Sequence, residues 1–188
     1  MRPGGHGLLL AAVFLAAPSA ISAKGLQPAD ETAVREIVRR VYEGYSKPIP
    51  EAPDDGSYAP DNEVGSAVDG YEPPYSASLD ALIQKWMPYG SGDEVMGMND
   101  FDWYCQCQDF DSKSAHIVSQ SYKAKGPDKI VGKVVFDPVG GSGAPLIFTF
   151  VREPSGWALD DLKFNEGGTL RSGLAQDIAD GEKAGGPQ

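Results

Sequence analysis

Between residues 114 and 164 the chain repeats one pattern: a short apolar run, then a turn rich in Gly, Pro and Asp. The first run is Ser114–Lys123, closed by Gly126-Pro127-Asp128. Lys129–Phe136 follows with Ile130, Val131, Val134, Val135 and Phe136, and the loop from Asp137-Pro138 to Gly143 ends it. Leu146–Arg152 is apolar at nearly every position, which predicts a strand covered on both faces or nearly so. After Glu153-Pro154-Ser155-Gly156 comes the last run, Trp157–Phe164. Strands joined by turns this short predict a four-stranded antiparallel meander.

The last run contains a fault in its alternation. Trp157 and Leu159 share one parity, whereas Leu162 and Phe164 share the other. A β-bulge at Asp160-Asp161 would return all four to one face and would curve the sheet.

Upstream the period is helical. Val34, Ile37, Val38, Val41, Tyr42 and Tyr45 form one stripe over residues 30–45, with Asp30 as the expected N-cap. Glu31–Arg35 and Glu36–Arg40 are spaced to pair one turn apart, so Arg35, Arg39 and Arg40 read as a solvated face rather than an anion site. A second helix runs from Ser76 or Ser78, with Leu79, Leu82, Ile83, Trp86 and Met87 as its apolar face, and ends at Pro88 and Gly90. A short third helix, capped by Thr169, carries Leu170, Leu174 and Ile178.

Around this body lie segments of a different character. Residues 1–23 read as a secretory signal peptide, with Arg2, the apolar run Leu8–Ala17, and Pro18 before the cleavage region. Ten apolar residues are too few to span a membrane, which takes ~20. Residues 47–76 form an acidic, Pro-rich loop, in which Tyr71 and Tyr75 can dock onto the body. Residues 24–180 then make one domain, and residues 181–188 a disordered tail. The formal net charge of −11 argues against nucleic acid and anionic membrane surfaces as partners. The expected location is periplasmic or secreted.

Helices followed by a curved antiparallel sheet give an α+β fold with the helices on one face. The order of elements, with Asp102, Gln108-Asp109, Trp157-x-x-Asp160-Asp161-Leu162 and Leu170-Arg171-x-x-Leu174, resembles the nuclear-transport-factor-two-like, cystatin-like cone. More closely it resembles an exported branch of that superfamily classed as a domain of unknown function. The resemblance implies a cone-like sheet and a pocket between sheet and helices. The superfamily includes isomerases, dehydratases and non-catalytic binders, and the branch brings no activity of its own.

Chemistry-bearing side chains concentrate between Asp100 and Asp111, where Trp103, Tyr104, Cys105, Cys107, Gln108 and Asp109 follow one another closely. Cys105 and Cys107 at i and i+2 cannot bridge in an extended strand, because their Cβ atoms lie further apart than the ~3.5–4.5 Å a disulfide needs. Three readings stand: a strained disulfide over a local kink, two buried thiols, or a redox or metal role. With Met96 and Met98 upstream, the thiolates would suit Cu(I). The acids Asp100, Asp102, Asp109 and Asp111 suggest calcium, but without the spacing of an EF-hand. An enzyme of the cone type would use Asp102 or Asp109 as a desolvated acid, with His116 as partner and Tyr104 or Tyr122 as hydrogen-bond donor. Against that, a Gln108-Asp109 pair equally serves the main chain at a bend. No Gly-rich phosphate loop, nucleophile elbow or zinc set is present, so no cofactor is expected.

These features point to an exported, non-catalytic binding protein whose ligand is a small molecule or an envelope protein. The motif candidates are Asp102, Trp103, Cys105, Cys107, Gln108, Asp109, His116, Trp157 and Asp160. The alternatives are a small lyase or isomerase, and a thiol-redox or soft-metal protein.

Overall fold

A computed structural model describes residues 25–47, 71–90, 97–98, 102–107, 110–141 and 143–186. The expected signal peptide, most of the acidic loop, Met96, Asp100, Gln108, Asp109 and the last two residues lie outside this range.

Helix α1 spans Pro28–Glu43 and runs on into a 3-10 turn, Gly44–Ser46. Its stripe is buried as the period requires, from Val34 through Tyr42 to Tyr45. Gln27, not Asp30, occupies the N-cap position. With Pro28 opening the helix, Asp30 falls inside the first turn and is free to bind elsewhere. Glu31 pairs with Arg35 as expected, at 2.7 Å. Glu36 pairs with Arg39 rather than Arg40, because the Arg40 guanidinium lies 4.1 Å over the Tyr71 ring.

Helix α2 spans Ala77–Gly90 and α3 spans Leu170–Lys183. Ser76 caps α2, accepting the Leu79 N–H at 3.1 Å. Leu79 and Trp86 are buried, but Met87 is 53 % exposed and does not belong to the apolar face. Thr169 caps α3 and exchanges hydrogen bonds with Ser172 in a capping box. The helix runs past Gly181, where the tail was expected to begin, since Lys183 and Asp180 close its last turn.

The strands β1 (His116–Ala124), β2 (Lys129–Asp137), β3 (Ala144–Glu153) and β4 (Gly156–Lys163) pair in chain order, all antiparallel. Phe150 faces Leu159 and Thr149 faces Asp161, so Asp160 is an extra residue. This bulge brings Trp157, Leu159 and Leu162 to one buried face. A second irregularity falls at Val118 in β1.

The sheet is not the curved, cone-like one that the resemblance implied. It is an open sheet whose edges, β1 and β4, do not meet. Each irregularity lies in an outer strand, while β2 and β3 pair without a break from Lys129↔Val151 to Phe136↔Ala144. A bulge bends its own strand. It does not curl a sheet whose central pair stays regular.

One core lies between the layers. Ile130, Val134, Phe136, Leu146, Phe148, Phe150, Leu159 and Leu162 meet the α1 stripe together with Leu79, Trp86, Leu170, Leu174 and Ile178. The Tyr42 and Phe136 rings stack at 4.4 Å and Tyr45 tilts against Phe136 at 5.0 Å. Burying each aliphatic side chain stabilises the fold by roughly 1.5–3 kcal/mol. The opposite face of the sheet has no helix over it among the described residues, so Ile147, Thr149 and Val151 are only half-buried.

Candidate functional site

The turn at residues 102–107 is built on Asp102. Its carboxylate accepts the backbone N–H of Tyr104 at 2.8 Å and of Cys105 at 3.1 Å, and its carbonyl accepts the Gln106 N–H at 2.9 Å. An Asp side chain folding back on the next residues is a local alternative to a strand or helix. It stops the chain from entering the sheet here.

From this turn two aromatic residues reach into the core. Trp103 donates its Nε1–H to the Met98 carbonyl at 2.7 Å and lies edge-on to Trp86, 5.8 Å away. Trp86 in turn donates to Asp177 of α3 at 2.9 Å, and so does the Met98 N–H. Tyr104 accepts the Tyr42 hydroxyl on its carbonyl and shares a hydrogen bond between its own hydroxyl and that of Tyr75, each at 2.8 Å. The turn is thereby fixed to α1, α2 and α3.

Beneath it is a patch of buried polar chemistry. Burial raises the Asp102 carboxyl above the usual range, while interaction with Tyr45 and the Cys105 and Tyr104 N–H groups pulls the other way. Tyr45 is fully buried, interacts with Asp102 electrostatically, and has a hydroxyl with no hydrogen-bond partner in regular geometry among the described residues. Burial also raises Tyr104 and Tyr42, and pushes Tyr75 up to about 12.

Cys105 and Cys107 form a disulfide with their Cα atoms 5.2 Å apart. The kink that permits it is at Gln106, whose φ of +53° is left-handed. Both cysteines are partly exposed. With the sulfurs joined, no thiolate is left for Cu(I), and Met98 is buried against α3 at Gly173. Among the described residues no group of His, Cys, Asp and Glu could hold a metal ion.

No known family model matches the chain, and neither does any curated protein or solved structure.

The remaining candidates are placed apart from the turn. His116 is exposed at the start of β1, with Nδ1 2.7 Å from the Ser114 carbonyl, and it influences Asp137 rather than Asp102. Trp157 donates Nε1–H to Asp30 at 3.0 Å, under the Arg152 guanidinium at 4.3 Å, and Arg152 also meets Asp30 at 2.6 Å. This ties β3 and β4 to the start of α1. Asp160 accepts the Ser76 hydroxyl at 2.6 Å, the Ser78 hydroxyl at 3.3 Å and an Arg171 guanidinium N–H. Asp161 accepts the Leu162 and Arg171 N–H groups at 3.0 and 3.1 Å. The Asp160-Asp161-Leu162 and Leu170-Arg171 motifs are thus the two halves of one clasp between β4, α2 and α3.

Two acids that organise the fold stood out by no motif. Asp137 is 3 % exposed and accepts the N–H groups of Val139, Gly140 and Gly141 at 2.8–3.0 Å. Asp177 joins Trp86 to Met98. The Asp-Pro-x-Gly-Gly pattern was the available signal for Asp137, since it places an acceptor just before a row of turn amides.

Proposed function

We propose that the chain is an exported, non-catalytic binding protein that meets an acidic protein segment on the open face of its sheet. The observation that carries this is the make-up of that face. Ser121, Lys133, Ile147 and Lys163 form one cross-strand row, and Lys123, Val131, Thr149 and Asp161 the next. Lys129 and Val151 pair beyond them, and Val135 and Pro145 on the other side. Four exposed lysines therefore frame half-buried aliphatic side chains, none of them in an ion pair among the described residues. Asp161, the one acid in these rows, is engaged with main-chain N–H groups.

In a chain of net charge −11 this is a local reversal of sign. A partner with carboxylates spaced around aliphatic residues would match it, with charge setting encounter rate and register. Between the layers, Tyr42, Tyr45, Phe136, Phe148 and Trp103 occupy the space, which favours a surface outside over a pocket inside. Export rests on the character of residues 1–23 in the sequence.

Selection from a random peptide library, followed by backbone amide shift mapping, tests the proposal. Selected peptides should be acidic with aliphatic residues, shift the amides of Ser121, Lys133, Ile147 and Lys163, and lose binding to a Lys133→Glu, Lys163→Glu protein. Peptides of no acidic bias, or shifts confined to α1 and α3, would sink it.

A further inference from the structure

We infer that the Cys105–Cys107 disulfide is a redox-active pair that oxidises dithiols, a role separate from the sheet face. Four features of the bond lead there. It joins residues two apart, so the loop it closes is very short. The stabilisation a disulfide gives by restricting the unfolded chain grows with loop length, so this one contributes little to folding.

Secondly, the fold around it stands on other contacts. Asp102 holds the turn through three hydrogen bonds, and Trp103 and Tyr104 anchor it in the core. Opening the ring leaves all of these in place. Thirdly, ring closure holds Gln106, a residue with a Cβ, at a left-handed φ of +53°. That conformation is unfavourable for a residue with a Cβ, a cost that the closed ring carries.

Fourthly, the two sulfurs are not equivalent. The Cys107 N–H points at Cys105 Sγ from 3.1 Å, and a backbone N–H so placed stabilises negative charge on that sulfur. Cys105 is therefore the better leaving group, and Cys107 the sulfur attacked.

The exchange balances as follows. A thiolate of the incoming dithiol attacks Cys107 Sγ, forming a mixed disulfide, and the Cys105 sulfur leaves with the bond's electron pair. The substrate's second thiol, as thiolate, then attacks its own sulfur in the mixed disulfide and expels Cys107. The substrate ends as a disulfide, oxidised by two electrons, and its two protons pass to Cys105 and Cys107.

The experiment uses dithiothreitol and glutathione as probes on the folded, full chain. After equilibration with graded dithiothreitol and alkylation, mass spectrometry should show complete conversion to the dithiol with the circular dichroism spectrum unchanged. A bond that stays oxidised until denaturant is added overturns the proposal. Acid-quenched reaction with reduced glutathione should place the trapped adduct on Cys107. An adduct chiefly on Cys105, or none at all, overturns the assigned direction of attack. Binding of acidic peptides to the sheet face should be the same in the oxidised and Cys105→Ser, Cys107→Ser proteins, which keeps the two functions distinguishable.

Discussion

Arg171 grips Asp160 by two routes, its guanidinium meeting the carboxylate while its Nε–H donates to the Asp160 carbonyl at 2.6 Å. The same carboxylate takes the hydroxyl of Ser76, the residue that caps α2. One side chain thus fixes a strand, the start of one helix and the start of another.

Removing this grip should weaken the fold. Arg171→Ala leaves a partly buried carboxylate with only two hydroxyl partners, at an expected cost of about 1–3 kcal/mol in urea denaturation. Burial raises the Asp160 carboxyl, but Ser76, Arg171 and Ser78 together outweigh it and hold it below the usual range. A lowered carboxyl contributes stability that is present above the unfolded value of ~3.9 and lost as pH falls through the folded one. The Asp160→Asn protein should therefore be less stable than wild type at pH 7, and the gap should shrink in acid below that value.

Asp102 predicts the opposite sign. Its carboxyl is raised by burial, so the protonated form is the one the fold favours. Its contribution is full below ~3.9 and is lost as pH rises through the folded value. Asp102→Asn keeps an acceptor for the Tyr104 and Cys105 N–H groups without the charge. That variant should match or exceed wild-type stability at pH 7 and show a flatter dependence above pH 4. Asp102→Ala leaves both N–H groups unpaired and should lose about 1–3 kcal/mol near pH 4, as read from denaturation midpoints, with the loss shrinking as pH rises through the folded value.

Tyr45→Phe deletes a buried hydroxyl that faces Asp102 but has no hydrogen bond of regular geometry among the described residues. Melting temperature should hold steady or rise, since an unsatisfied buried polar group costs ~1–3 kcal/mol. Tyr104→Phe, which removes the hydrogen bond that the Tyr104 hydroxyl shares with Tyr75, should lower it. Equal losses in both proteins would show that the Tyr45 hydroxyl has a partner in solution.

At Gly132 strand preference and packing disagree. Tyr122 lies across this glycine from the neighbouring strand, and a Cβ there would come 2.7 Å from its ring. Valine, a better strand former than glycine, should nevertheless destabilise the protein by about 1–3 kcal/mol through overpacking. A crystal structure or the fluorescence of the variant would show Tyr122 displaced.

Much of the architecture was legible because it rests on period. The stripe from Val34 to Tyr45 and the parity change at Asp160 needed only spacing to find. What could not be read depends on distant partners. Asp177 finds Trp86 across 91 positions, and Arg40 chooses the Tyr71 ring over the nearer Glu36. Curvature was misjudged because it belongs to the whole sheet, and the unbroken β2–β3 pairing overrides a fault in either outer strand. The turn at Asp102 drew notice for its chemistry, yet most of those side chains are spent on holding backbone and helices together.

The surplus residue in β4 has a consequence of its own. Without Asp160, the order Trp157, Ala158, Leu159, Asp161, Leu162 would alternate inward and outward with no fault at all. A perfect strand was available by omission, and it would have supported the same apolar face. What it would lack is an acid pointing sideways out of the sheet's rhythm, toward Ser76 and Arg171. The irregularity is thus a tether: the strand gives up its metre at one beat so that two helices are bound to it.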